Sequence, residues 1–143
     1  MPRTAVLGLG LSLAVLMCAG ASAQDEPKGF DCVFETGTSR TFANGAFATK
    51  PPEPLKFAIT DVDLDGQSAR LGTDVNGKSG SLKIVRAINA NHYLEVVNEG
   101  FLNLTTVYDK DPTTGKHPAV HSRHFGVIGE PVVAQYAGFC TAK

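Results

Sequence analysis

Cys32 and Cys140 stand near opposite ends of the chain, each inside a short aromatic-flanked stretch, "FDCVF" and "GFC". If they are joined, the fold must bring its first and last segments side by side. Whether they are joined turns on the compartment, because disulfides persist outside the reducing cytosol. The N-terminus supplies that context. In "MPRTAVLGLGLSLAVLMCAGASAQDEP", Arg3 gives a short positive region and an apolar core runs from about Val6 to Ala19. Ala21-Ser22-Ala23 then offers the small residues that a signal peptidase reads. The expectation is a secretory signal over residues 1–23. A transmembrane helix would need about 20 apolar residues and a stop-transfer flank. A lipoprotein signal would need a small residue before Cys18, where Met17 stands. Cleavage removes Cys18 and leaves an even pair, so a Cys32–Cys140 disulfide is expected. In the chain-entropy picture, closing a loop of about 110 residues stabilises by roughly 4–5 kcal/mol.

Residues 24–143 are of a length that suits a single domain. Of the 13 Lys+Arg and 14 Asp+Glu, only Arg3 lies in the signal segment, so the mature balance is slightly acidic. Without a basic tract, neither nucleic acid nor an anionic membrane is the expected partner. No second apolar stretch is long enough to span a bilayer as a helix.

The mature segment lacks helical periodicity and reads as strand after strand. "FDCVFE" sets Phe30, Cys32 and Phe34 on one face, and "LKFAIT" sets Leu55, Phe57 and Ile59 on one face. Further strands are expected at Phe42–Thr49, Ala69–Gly72, Ser81–Arg86, Tyr93–Val97, Phe101–Tyr108, Ala119–Phe125 and Val132–Cys140. They are rich in Val, Ile, Thr, Phe and Tyr, and turn residues separate them. Asp65-Gly66 and Asn76-Gly77 are dipeptides favoured in tight hairpins, and Glu99-Gly100 marks another turn. "KPPEP", Lys50 to Pro54, is a stiff link where a ladder cannot continue. "DKDPTTGKHP" reads as a polar, mobile surface connection. Eight or nine short strands predict a small antiparallel β-barrel closed by one disulfide, with a sandwich as the alternative. Closure leaves no exposed edge and puts Cys32 beside Cys140. In architecture alone, this order resembles small secreted barrels such as lipocalin-like carriers and bacterial envelope inhibitors. "PAVHSRH" and "QYAGFC" resemble the tail of small exported bacterial proteins, which implies a Gram-negative periplasmic location; secretion is the other possibility.

"DVDLDG", Asp61 to Gly66, matches the first half of an EF-hand loop, with oxygens at positions 1, 3 and 5 and glycine at 6. Position 12, where a bidentate Glu belongs, is Gly72. The flanks are strand-like, so a hairpin with three solvent-facing carboxylates explains the same residues. A weak, millimolar calcium site is the alternative.

Three of the four histidines fall in "HPAVHSRHF", His117 to Phe125. On a strand, Ala119, His121 and Arg123 face one way and Val120, Ser122 and His124 the other. The spacing does not suit a strand chelate for zinc, and no Cys or carboxylate lies close by. Surface histidines beside a loop are the plain reading. The functional reading is an anion site in which Arg123 offers a fork of donors and His121 an imidazole that titrates near neutrality. His121, Arg123 and His124 are therefore the candidate ligand-binding residues.

No G-x-S-x-G, H-E-x-x-H, C-x-x-C or phosphate-cradling loop occurs, and no catalytic residue, metal ligand or cofactor site is assigned. Ser122 points away from His121 and gains no activation from it. Asn103 in "NLT" fits a glycosylation sequon, but a strand position favours a structural role. The expected function is a binding module for a small or extended ligand. The alternative is an interaction module, an inhibitor or accessory factor of an envelope enzyme, acting through Asp109–Pro118.

Overall fold

The computed structural model describes residues 26–72, 80–97, 101–126 and 129–143. The signal segment, Asn76-Gly77 and Glu99-Gly100 lie outside them. Nine strands follow one another: β1 Phe30–Ala43, β2 Ala46–Lys50, β3 Leu55–Asp63, β4 Ser68–Leu71, β5 Gly80–Arg86, β6 Ala90–Val97, β7 Phe101–Tyr108, β8 His117–Phe125 and β9 Val132–Ala142. They form one sheet of antiparallel neighbours, and β1 also pairs with β9. The hydrogen bonding therefore runs in a ring through every strand except β2, which lies against β1 alone. The all-β meander and its closing disulfide are as the sequence predicts.

β1 makes the closure. One of its edges pairs with β9 from Phe30 to Thr41. The other edge gives Phe30–Phe34 to β3 and Ser39–Ala43 to β2, with the proline-rich link between them. A bulge between Phe34 and Thr36 bends the strand and changes which residues face inward. Two glycines let the backbones meet there: a side chain on Gly138 would collide with the Val33 carbonyl, and one on Gly37 with that of Gln135. Cys32 and Cys140 are direct cross-strand partners, bonded and fully buried, with Cα atoms 4.0 Å apart.

Two local expectations change. Phe42–Thr49 is not one strand. Asn44 and Gly45 both have positive φ, 51° and 80°, which is the backbone of a two-residue primed turn, so the chain folds back between β1 and β2. The Asp65-Gly66 hairpin exists, but neither of those residues supplies its positive φ. Its turn covers Leu64–Gln67, Asp63 Oδ1 accepts the Gly66 N–H at 2.8 Å, and Gln67 carries φ 53°. A Cβ on Gly66 would displace the Asp63 carboxylate from this contact. Upstream, Asp61 has φ 51° where the β3–β4 register shifts between Thr60 and Asp63. That irregularity reverses the alternation, so Ile59, Val62 and Leu64 are buried while Asp61, Asp63 and Asp65 face solvent.

The middle of the ring is filled. Phe34 stacks on Phe57 with centroids 5.5 Å apart, and Ile59, Ile84 and Tyr93 complete a buried cluster.

Candidate functional site

β8 alternates as its sequence implies, and the structure decides which face is inside. Ala119 and His121 are buried, Arg123 is half-buried on the same face, and His124 is exposed on the other. His121 is 6% exposed, and its ring lies among Phe34, Phe57 and Tyr136 at centroid distances of 5.7, 5.2 and 5.8 Å. Its Nδ1 is 2.8 Å from Thr105 Oγ1 on β7. Burial, with the Arg123 charge adding to it, pushes the imidazole pKa down to about 4. The expected titration near neutrality is therefore replaced by a neutral, packed ring. Arg123 lies over the Phe125 ring at 4.7 Å, and Phe125 meets Phe101 edge-on. Asn103, of the sequon, turns inward next to Arg123 and donates from Nδ2 to Glu95 Oε2 at 2.8 Å. The structure thus brings His121 and Arg123 to one interior face and leaves His124 outside.

A different place has the geometry of a binding site. Because neighbouring strands run in opposite directions, the starts of β1, β6 and β8 and the ends of β3, β5, β7 and β9 meet at one end of the ring. There the filled core gives way to a cavity of about 860 Å³, within the size range of small-molecule sites. Its apolar wall comes from Phe30 on β1, Val62 and Leu64 at the end of β3, Ala90 on β6 and Val107 on β7. Glu26, Arg86, Asp109, Lys110 and His117 carry the polar groups around it.

Tyr93, also in the wall, is 1% exposed, and its Oη has no hydrogen-bond partner among the described residues. Buried hydroxyls are ordinarily paired, so this phenol, on a residue of the cavity lining, is a donor left without an acceptor among the described residues. Its ring meets Phe30 edge-on at 6.3 Å. Burial first, and the Glu26 carboxylate second, push the phenol pKa up to about 12. The group is a neutral donor throughout the physiological range.

His117 stands at the start of β8, across from Cys140 in register. Its Nδ1 lies 2.8 Å from the Tyr108 carbonyl oxygen. A carbonyl only accepts, so Nδ1 carries the hydrogen and Nε2 is left for another partner. The imidazole packs edge-on against Phe30 at 5.2 Å. The β7–β8 connection between these residues is tied down rather than mobile. Asp111 accepts from the Thr114 hydroxyl and from the Thr113 and Thr114 N–H groups, and Gly115 takes φ 69° to close the turn. The Thr114 hydroxyl, followed by the Thr113 N–H, holds the Asp111 carboxyl below its usual range. Across the opening, Arg86 reaches Glu26 at 3.5 Å with both side chains half exposed, a pairing that is worth little.

This arrangement can hold and orient a molecule. Among the described residues no group of three His, Cys, Asp or Glu side chains is placed to hold a metal, and the cavity lining contains no serine or free cysteine to act as a nucleophile. His121, Arg123 and His124 are not part of that lining, whereas His117, from the same segment, is. Sequence reasoning missed Tyr93. It follows Asn91 and precedes Glu95 on the inward face of β6, while Leu94 looks outward, so hydrophobic alternation gave no reason to put it inside. The one available signal was a tyrosine, which carries a polar atom on a core-sized ring.

A scan against protein-family models, a search of curated proteins and a search of solved structures each found no match. No helix among the described residues is long and apolar enough to cross a membrane. The buried Cys32–Cys140 bond fits an oxidising environment.

Proposed function

We propose that the protein is an exported binding module, periplasmic or secreted, that takes a small molecule into the end cavity. The observation that carries this reading is the unpartnered Tyr93 hydroxyl in the wall of an 860 Å³ chamber. The ring supports it: a filled middle and a disulfide across the closing strands give a stiff cup, so the cavity is formed before a ligand arrives. A pre-formed site loses less freedom on binding. The reading moves the site from His121, Arg123 and His124 to Tyr93, His117 and the wall around Phe30.

A neutral fluorescent probe, N-phenyl-1-naphthylamine, tests it. The probe should bind saturably to one site, and Ala90→Phe or Val107→Phe, each of which puts a ring into the chamber wall, should weaken binding at least tenfold, with far-UV circular dichroism checking that the variant folds. Equal binding by wild type and both filled variants would withdraw the cavity as the site.

A second reading, a protein-interaction module, draws on the outer face of β6 to β9. Leu102, Leu104, Val120 and Phe139 are all exposed there, Phe139 at 46%, and isolated apolar residues become notable when they gather on one face. A Leu104→Lys/Phe139→Lys double variant separates the two readings. It should leave probe binding intact, and loss of probe binding would place the probe on the outer face instead.

A further inference from the structure

Resting on that reading of the cavity, we propose that its ligand is a neutral, largely apolar molecule that presents a carbonyl-type acceptor to Tyr93, with carboxylates of the same size excluded. The first observation is the phenol itself. Its Oη is buried, has no acceptor among the described residues and belongs to a side chain that lines the chamber. As a protonated phenol it can give a hydrogen bond to a lone pair and cannot discharge a negative ligand. A ketone, ester or amide oxygen supplies that lone pair without bringing a charge into the apolar wall.

The second observation is the balance of charge. Glu26 and Asp109 face the cavity against Arg86 and Lys110, and Arg86 is already paired with Glu26 at 3.5 Å. Burial is the main reason the Tyr93 hydroxyl stays protonated, and the half-exposed Glu26 carboxylate adds to it. A ligand carboxylate seated against Tyr93 would feel the same repulsion, and none of the cations around the cavity is buried to receive it. Specificity here comes from a repulsive element as well as an attractive one. The third observation is the wall: Phe30, Val62, Leu64 and Val107 are apolar and buried. Each methylene placed against such a surface tightens binding about fourfold.

The experiment is displacement of N-phenyl-1-naphthylamine from protein expressed from the full chain, at pH 7.5, by two competitors of equal length. 2-Nonanone should displace the probe, and nonanoate should do so at least tenfold more weakly. Tyr93→Phe should weaken 2-nonanone about fivefold, the loss of one neutral hydrogen bond, and should weaken it more than it weakens the probe, which has no carbonyl. It removes an atom with no protein partner, so the variant should fold. Glu26→Gln should strengthen nonanoate at least threefold and leave 2-nonanone unchanged. Nonanoate competing as well as the ketone, or a ketone affinity indifferent to Tyr93→Phe, overturns this inference while the cavity reading stands. Absent probe binding, or binding that survives both Ala90→Phe and Val107→Phe, overturns the cavity reading and the inference with it.

Discussion

His121 Nδ1 and Thr105 Oγ1 lie 2.8 Å apart inside the ring, on adjacent strands, with no charge shared between them. The imidazole is neutral there, with its pKa pushed down to about 4 by burial. In the unfolded chain it titrates near 6.5. Above that value both states hold a neutral ring and the group has no effect on pH dependence. As pH falls from 6.5 toward 4, the unfolded chain takes up a proton that the folded one refuses. Folding should lose about 3 kcal/mol across that window. Urea midpoints at pH 7 and 4.5 check this: wild type should weaken more than His121→Gln, and equal slopes would disprove it.

Tyr93 gives the mirror image at high pH. Its phenol is held to about 12 in the fold and ionises near 10 when unfolded. Stability contributed by the neutral phenol is present below pH 10 and is lost between 10 and 12. The chain has three tyrosines and no tryptophan, so phenolate absorbance near 295 nm reads them cleanly. A late-ionising component should be visible in wild type and absent from Tyr93→Phe. Its survival in that variant would assign the effect to another residue.

The Asp63–Gly66 contact makes the "DVDLDG" segment a turn. Asp63→Ala should cost about 0.5–1 kcal/mol, an exposed side-chain bond to one backbone N–H, while Asp63→Asn should retain most of it. Calcium at a few millimolar should move the melting temperature by less than about one degree. A rise of several degrees that disappears in Asp61→Asn or Asp65→Asn would show that the three carboxylates gather a cation after all.

The Cys32–Cys140 bond closes a span of 108 residues. Non-reducing peptide mapping should recover the two cysteines linked, and Cys32→Ser/Cys140→Ser should lower stability by roughly 4 kcal/mol. A double variant that melts with the wild type would mean that strand pairing alone closes the ring.

Much of this fold was legible because turn residues separate the strands and β5, β8 and β9 keep their alternation. Phe30, Cys32 and Phe34 could only share a face, and so could Ala119, His121 and Arg123. Three things hid the rest. Asn44-Gly45 lies between Phe42 and Phe47, two aromatics that pack edge-on across the hairpin and that read in sequence as one continuous strand. The irregularities at Asp61 and between Phe34 and Thr36 reverse alternation, and only the backbone shows where. On β6 and β7 the inward residues are mostly polar, Asn91, Tyr93, Glu95, Asn103 and Thr105 beside Val107, while Leu102 and Leu104 are exposed. A hydrophobicity pattern points the wrong way there, and that is the wall in which the orphan phenol lies. The histidine segment drew notice for its composition, yet composition could not tell a packed imidazole from an accessible one.

The ladder between β1 and β9 also makes the two ends of the described ring neighbours: the Lys143 N–H donates to the Gly29 carbonyl at 3.0 Å. A short linker from Lys143 to Glu26, with new ends cut in the exposed β5–β6 turn near Asn89, would give a circular permutant with every ladder intact. In that permutant Cys140 and Cys32 would be separated by roughly a dozen residues instead of 108. The bond itself, its buried surroundings and its neighbours would be unchanged, but the loop it closes in the unfolded chain would be short. Its contribution to stability should fall by about 2 kcal/mol on loop length alone. How much this disulfide stabilises is therefore set by the order in which the chain visits the ring, and one relocated pair of ends would reveal it.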